Sequence, residues 1–241
     1  MSSSKTPTRV TPSRAVIKIS GAGFGDENPL ESDSISYILD QVNQARKTGT
    51  EIAIVVGGGN IIRGQEQEIL TRTAGDIAGM VGTIVNGIVL KDQLQSLNVP
   101  VLLQSAFPTD RVTEPVSPDR ADQHLQDGGI VVFVGGTGNP YFTTDSAAAL
   151  RAGEIGADLI LKGTNVSGVF TGDPAEEESE FLPELTYEHL VDHDLDIIDA
   201  AAANICRETG IPMVIFDLFD EGATARALEG DEIGTYVYPE R

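Results

Sequence analysis

The sequence predicts an α/β fold around a largely parallel central sheet, and three observations carry that reading. Short apolar, β-branched runs alternate with longer amphipathic stretches along almost the whole chain. Most of the runs are continuous in hydrophobicity, as strands covered on both faces require. Glycine-rich segments follow several of them, where a strand hands over to a helix and ligands collect in such folds. Strand and helix in alternation imply right-handed βαβ units.

In chain order, Ala-Val-Ile-Lys-Ile at 15–19 predicts the first strand, and further strands are expected at 51–56, 99–104, 129–134, 158–161 and 212–216. Amphipathic spacing predicts helices at 32–48, 73–97, 118–127, 146–155, 186–191 and 200–209. No linker or internal repeat interrupts residues 14–241, which are expected to form one domain. Residues 1–13 are polar, rich in Ser, Thr and Pro, and lack the apolar segment of a secretory signal. They are expected to be a disordered tail, with a short organellar transit peptide as the alternative, since Lys5 and Arg9 stand there without an acid.

Composition narrows the function. The 241 residues hold 16 Lys and Arg against 37 Asp and Glu, a formal charge of −21. Such a chain is a poor binder of nucleic acid or of anionic membrane surfaces. No apolar run approaches the ~18 residues of a membrane helix. The lone Cys206, among Ala200 to Ala203 and Ile205, reads as a packed core thiol and fits a reducing, cytoplasmic compartment. Acidic runs at 176–178 and 192–196 read as solvated faces, and so acidic a surface predicts a salt-rich working environment.

The familiar phosphate motifs are missing. There is no Walker-type loop, and the dinucleotide fingerprint fails at Ile62 after one glycine turn and at Tyr141 after another. Three glycine turns nevertheless fall on one rim: Gly21 and Gly23, Gly57-Gly58-Gly59-Asn60, and Gly135-Gly136-Thr137-Gly138-Asn139. They could aim amides and helix N-termini at anions, or merely satisfy positive φ and tight packing. Only five lysines occur, yet Lys18 and Lys162 both end strands. A desolvated ammonium needs an anion unless it snorkels to water. Arg63 is expected in the first helical turn after the second glycine turn, where its fork could clamp a phosphate. Thr143, Thr144 and Asp145 are all N-cap candidates, so two are free to face a ligand. Phe170 and Asp173 could wrap a planar base. His189 and His193 are four apart, but without a third ligand they read as solvated helix rather than zinc site; His124 stands alone. Gly75, Gly79, Gly82 and Gly87 would let a neighbour approach helix 73–97, either a second subunit or another part of the monomer.

Taken together, Lys18-Ile-Ser-Gly21, Gly57-Gly-Gly-Asn-Ile-Ile-Arg-Gly64, Gly75-Asp76-Ile-Ala-Gly-Met80, Gly136-Thr-Gly-Asn-Pro-Tyr-Phe-Thr-Thr-Asp-Ser-Ala148 and Gly168-Val-Phe-Thr-Gly-Asp-Pro174 resemble the bacterial-type uridylate (UMP) kinases of the amino acid kinase superfamily. The likeness runs from about Arg14 almost to the C-terminus. It implies a single three-layer αβα sandwich, assembled into homohexamers, that transfers the γ-phosphoryl of ATP to UMP with Mg²⁺. By position, Lys18, Ile19, Ser20, Gly21, Gly59, Arg63, Thr164, Phe170 and Asp173 would contact ATP. Gly58, Asp76, Thr137, Gly138, Asn139, Pro140, Tyr141, Phe142, Thr143 and Thr144 would hold UMP, with Asp76 on the ribose. Lys18, Asp145, Lys162 and Asp199 match the catalytic centre, and no protein metal ligand is implied. The chain departs from the pattern in running directly from Gly21 to Asp26 without an insert. Gly129 stands where an arginine is common among the basic positions that bacterial relatives use for an allosteric GTP. Asn165 and Ser167 replace a usual Lys and Asp, which would alter nucleotide affinity.

This chemistry stands unaided. A phosphate acceptor has a second pKa of about 6 and attacks without giving a proton to a base. The obstacle is repulsion between polyanions, and the remedy is cations and aligned dipoles. Asp145 would then orient a lysine or a metal's water shell. Two other readings are a superfamily kinase for a carboxylate or carbamate, and a non-catalytic oxyanion store or sensor. The 137–144 segment with Asp76 opposes the first, and Lys18, Asp145 and Lys162 oppose the second.

Overall fold

The central strands share one sheet because their apolar runs are covered by helices on both sides. The computed structural model describes residues 9–25, 28–64, 67–172, 179–192 and 197–240. Its strands are β1 (Arg14–Ile19), β2 (Glu51–Val56), β3 (Val101–Ser105), β4 (Glu114–Pro115), β5 (Ile130–Val134), β6 (Leu159–Thr164), β7 (Val169–Phe170), β8 (Phe181–Leu182), β9 (Glu184–Thr186), β10 (Met213–Asp217) and β11 (Thr235–Tyr238). Its helices are α1 (Ser32–Arg46), α2 (Arg72–Ser96), α3 (Pro118–Gln126), α4 (Thr144–Ile155), α5 (Tyr187–Asp192), α6 (Ala200–Thr209) and α7 (Ala223–Glu229). The sheet order is β4-β3-β5-β2-β1-β6-β10-β11-β9, parallel throughout except that β11 and β9 run against the rest. β7 and β8 form a separate antiparallel pair.

The alternation of side chains along each strand sorts the core into two layers. Ile17, Ile19, Ile52, Ile54 and Val132 pack with α1, α2 and α7 on one face. Val16, Ala53, Val55, Val131 and Ile160 pack with α3, α4 and α6 on the other. This is the expected three-layer αβα sandwich.

Several boundaries differ from the sequence reading. β6 continues past 161 to Thr164, which places Lys162 inside the strand rather than after it. α4 starts at Thr144 because Thr143 is its N-cap, accepting from the Asp145 amide. β4, β7, β8, β9, β11 and α7 were not anticipated; the strands have two to four residues, too few for a periodic signal. Residues 9–13, expected in the tail, are packed: the Arg9 guanidinium donates to the carbonyls of Asp231, Ile233 and Gly234 and lies 5.6 Å from the Tyr236 ring centroid. Residues 1–8 lie outside the described residues. Contrary to the expectation of no membrane-length run, α2 has 25 residues and a window of mean hydropathy 1.4, long and apolar enough to span. Its Ile84, Leu90 and Leu94 instead join the core beneath the sheet.

Candidate active site

Parallel register places Lys18 of β1 opposite Lys162 of β6. Val16 and Ile160 face α4, so by the two-residue period Lys18 and Lys162 do too. Two ammonium groups side by side, 8% and 6% exposed, need an anion. Asp145, in the first turn of α4, supplies it. The Lys18 Nζ lies 3.0 Å from Asp145 Oδ1, and Lys162 Nζ donates to Oδ2 and to the Ile197 carbonyl.

Burial alone would raise the Asp145 pKa; the attraction of Lys18 and Lys162 outweighs it and holds the carboxyl below its ordinary 3.8. Lys162 shifts down from 10.5, because burial and the repulsion of Lys18 exceed the pull of Asp145. As a simple pair these directions conflict, since one partner is favoured in its charged form and the other is not. As a triad they agree. The carboxylate has two attractions, while each ammonium has one attraction and one repulsion, and the cluster keeps a surplus positive charge. The sequence reading sent Lys18 to a ligand anion or to water, and had Asp145 face a ligand or orient a lysine or a metal's water shell; the structure sets Asp145 against both lysines. The cluster is not sealed, for the Lys18 side chain remains 10% exposed.

Asp199 does not join the two ammonium groups by a hydrogen bond. It caps α6 through the Ala202 amide (2.9 Å) and accepts from Ser146 Oγ (2.6 Å) and from Thr143 Oγ1. It thus fastens α6 to the first turn of α4 and acts on Lys162 through its charge rather than by a hydrogen bond.

Beside this cluster lies a cleft of about 320 Å³, in the range of small-molecule sites. Gly58, Gly59 and Arg63 form one wall, Asp76, Met80 and Thr83 of α2 the floor, and Gly136 with Phe142, Thr143 and Thr144 the other wall. The turns are locked together: a Cβ on Gly21 would stand 2.5 Å from the Gly59 nitrogen, and one on Gly57 would stand 2.6 Å from the Gly21 nitrogen. Here glycine is required by close approach. Arg63 sits in a loop and not in a helix, because α2 begins only at Arg72; the turn ends instead in bonds from the Ile61 and Ile62 amides to the Gly58 carbonyl.

Asp76 organises the opposite wall. It accepts from Arg72 Nε (2.9 Å) and from the Tyr141 amide (2.8 Å). Tyr141 has φ +72°, a strained left-handed conformation for a bulky residue, and the Arg72 guanidinium lies 5.6 Å from its ring centroid. Thr137 and Asn139 bond to each other across Gly138 (φ +81°) and shape the turn without lining the cleft; Pro140 also lies off the lining.

The other proposed ATP contacts are less gathered. The Ile19 side chain is in the core and its carbonyl accepts from the Gly57 amide. Ser20 leads into the turn Gly21–Gly23. Thr164 Oγ1 donates to the Val166 carbonyl (2.8 Å), and Phe170 packs edge-on to Phe181 at 5.4 Å. Asp173, His193 and residues 176–178 and 193–196 lie outside the described residues. The His189 amide, in α5, donates to Thr186 Oγ1 at the end of β9. His124 rests on Gly129, where a Cβ would stand 2.3 Å from its ring. Cys206 is fully buried, and burial pushes its thiol up to about 11, as expected of an inert core cysteine.

The sequence reading missed Met80 and Thr83. They share a helical face with Asp76, at i+4 and i+7, and that spacing was the available signal. Three of the four glycines of α2 serve close approach within the monomer: Gly75 meets Gly64, Gly82 meets the Gly58 carbonyl, and Gly87 meets Val134, whereas Gly79 lines the cleft.

Residues 13–217 match the amino acid kinase family. The uridylate kinase of Methylococcus capsulatus is 40% identical over 93% of this chain and 96% of its own, and that of Salinibacter ruber is 41% identical over 93% and 89%. The crystal structure of UMP kinase from Bacillus anthracis superposes with a TM-score of 0.92 at 33% identity, covering 95% of this chain and 97% of that one. UMP kinase from Ureaplasma parvum gives 0.87 at 33% identity, over 97% and 100%. With its sheet order, its interlocked glycine turns and its lysine cluster at the strand ends, the chain belongs to the amino acid kinase family and, within it, to the uridylate kinases.

Proposed function

We propose that the protein transfers the γ-phosphoryl of ATP to UMP, giving UDP and ADP, and that residues 14–241 act as one catalytic domain. The observation that carries this reading is the Lys18–Asp145–Lys162 cluster, whose surplus positive charge stands beside a cleft walled by glycine amides. The UMP phosphate is already ionised and needs no general base. Lys18 and Lys162 neutralise the transferring phosphoryl, Asp145 holds both ammonium groups in place, and Arg63 with the Gly58 and Gly59 amides binds the phosphates that approach each other. Asp76 holds the ribose of UMP, and Phe142 to Thr144 close the acceptor cleft. Asp199 acts by fixing Thr143 and Ser146. Thr164 and Phe170 border the ATP side.

The oxygens of Asp145 and Asp199 face ammonium, hydroxyl and amide donors, which fits a Mg²⁺ carried on the ATP phosphates better than one caged by carboxylates. When bound, the ion neutralises charge on the β- and γ-phosphates. Ile77, Val81, Val85 and Ile88 form an exposed apolar stripe along α2, which supports a homo-oligomer, hexameric by resemblance. The single buried thiol suits the cytoplasm.

A coupled assay with ATP and a panel of acceptors, UMP against carboxylates and carbamate, tests the reading. UMP is expected to give the highest kcat/KM. Lys18→Met is expected to lower kcat by about 10²–10³-fold with UMP affinity nearly unchanged, the size seen when one charge-stabilising donor is lost. An unchanged rate in that variant would overturn the assignment.

A further inference from the structure

Three consecutive glycines cannot fix their own conformation, because glycine has the largest backbone freedom of any residue. The Gly57–Gly59 turn must therefore be held from outside, and one side chain is placed to do it. Asn86 lies on the inner face of α2 at 0% exposure, in a helix whose other buried residues there are mostly apolar. A buried amide in such a place needs partners. Its Nδ2 donates to the Gly57 carbonyl (2.7 Å) and to Asn60 Oδ1 (2.7 Å), and its Oδ1 accepts from Asn60 Nδ2 (3.0 Å). Both donor hydrogens are thus spent on one turn. Asn60 in turn donates to the Pro29 carbonyl, tying the same turn to the loop before α1. Packing alone would have been served by a leucine.

We propose that Asn86, with Asn60, is a positioning residue for phosphoryl transfer: the reciprocal amide pair sets where the Gly58 and Gly59 amides stand relative to the lysine cluster. This rests on the kinase reading above. Asn86 touches neither nucleotide in this scheme and acts only through the turn. Misplacing the turn lowers the rate of the chemical step, since a displacement of about 1 Å costs about 10²-fold, and it leaves binding of each nucleotide nearly intact.

The test is steady-state kinetics with ATP and UMP on Asn86→Leu, Asn60→Ala and the double variant, each assayed well below its own melting temperature. Turnover by the parent is established first; its absence would sink the kinase reading and this proposal with it, whereas an active parent with unimpaired variants would sink this proposal alone. With an active parent, kcat in each single variant is expected to fall by about tenfold or more, with both KM values within about threefold. The double variant is expected to lose little more than the worse single one, because both changes break the same pair. Losses below that threshold, losses that multiply in the double variant, or losses that track the unfolded fraction would overturn the proposal. If Asn86→Leu does not fold, Asn60→Ala decides alone on the same threshold, since Asn60 is only half-buried in the turn.

Discussion

The Lys18–Asp145–Lys162 cluster and the cleft along α2 adjoin at the same end of the sheet, but one is assembled from side chains and the other largely from main chain. In the cluster, strand register and the start of α4 bring three charges together at 8% exposure or less. Their geometry follows from the most rigid part of the fold. In the cleft, the walls are glycine turns and a strained tyrosine segment, held by bonds reaching in from α2. The difference teaches where each kind of change should register. Removing a charge from the cluster should affect folding and chemistry together; loosening a cleft contact should affect chemistry or binding with little effect on folding.

The largest expected effect tests the first half. Asp145→Ala leaves two buried ammonium groups facing each other, and breaking such an ion cluster costs about 3–5 kcal/mol. Urea titration at neutral pH should show that loss beside a collapse of kcat. The pH dependence has a definite sign. Because the folded carboxyl titrates below its ordinary 3.8, its contribution is fully present above that value and is lost as pH falls through the depressed one. The gap between parent and variant should therefore persist at neutral pH and narrow only in acid. A variant as stable as the parent at pH 7 would break the comparison.

A smaller effect is expected at Asp76. Asp76→Asn removes an ion pair with Arg72, whose side chain is 47% exposed, so stability should change by no more than about 1 kcal/mol. The amide can still accept from the Tyr141 N–H. The expected result is a rise of about tenfold in KM for UMP with KM for ATP unchanged, the pattern of lost uniform binding. Equal rises for both nucleotides would place Asp76 outside the acceptor site.

These two regions were also unequally legible in the sequence. Lys18 and Lys162 stood out because the chain has few lysines and both follow apolar runs. That Asp145 would orient a lysine was also foreseen; that the two lysines stand side by side and share it was not, because parallel register depends on contacts between segments about 140 residues apart. The central strands and long helices emerged from periodicity, whereas β4, β7, β8, β9 and β11 were too short to show any. In the cleft, the glycines were visible but not what restrains them. Asn86 and Thr83 read as ordinary residues of an apolar helix until the fold placed the Gly57 carbonyl and the Gly135 amide against them.

The smallest effect concerns salt and divides the same two kinds of charge. A net −21 repels itself at the surface, and KCl screens that repulsion within a Debye length of about 3 Å at 1 M. Each kcal/mol relieved raises the melting temperature by roughly 2–4 °C in a chain of this size, so a rise of a few degrees is expected as KCl approaches molar levels. The buried cluster is screened far less than the surface. The increment should therefore be the same in the parent and in Asp145→Ala, and the distance between their melting curves should stay constant. If salt closed that distance, mobile ions would be reaching the cluster and its charges would belong to the surface. A melting temperature that fell steadily with KCl would instead remove the link between the acidic face and a saline environment.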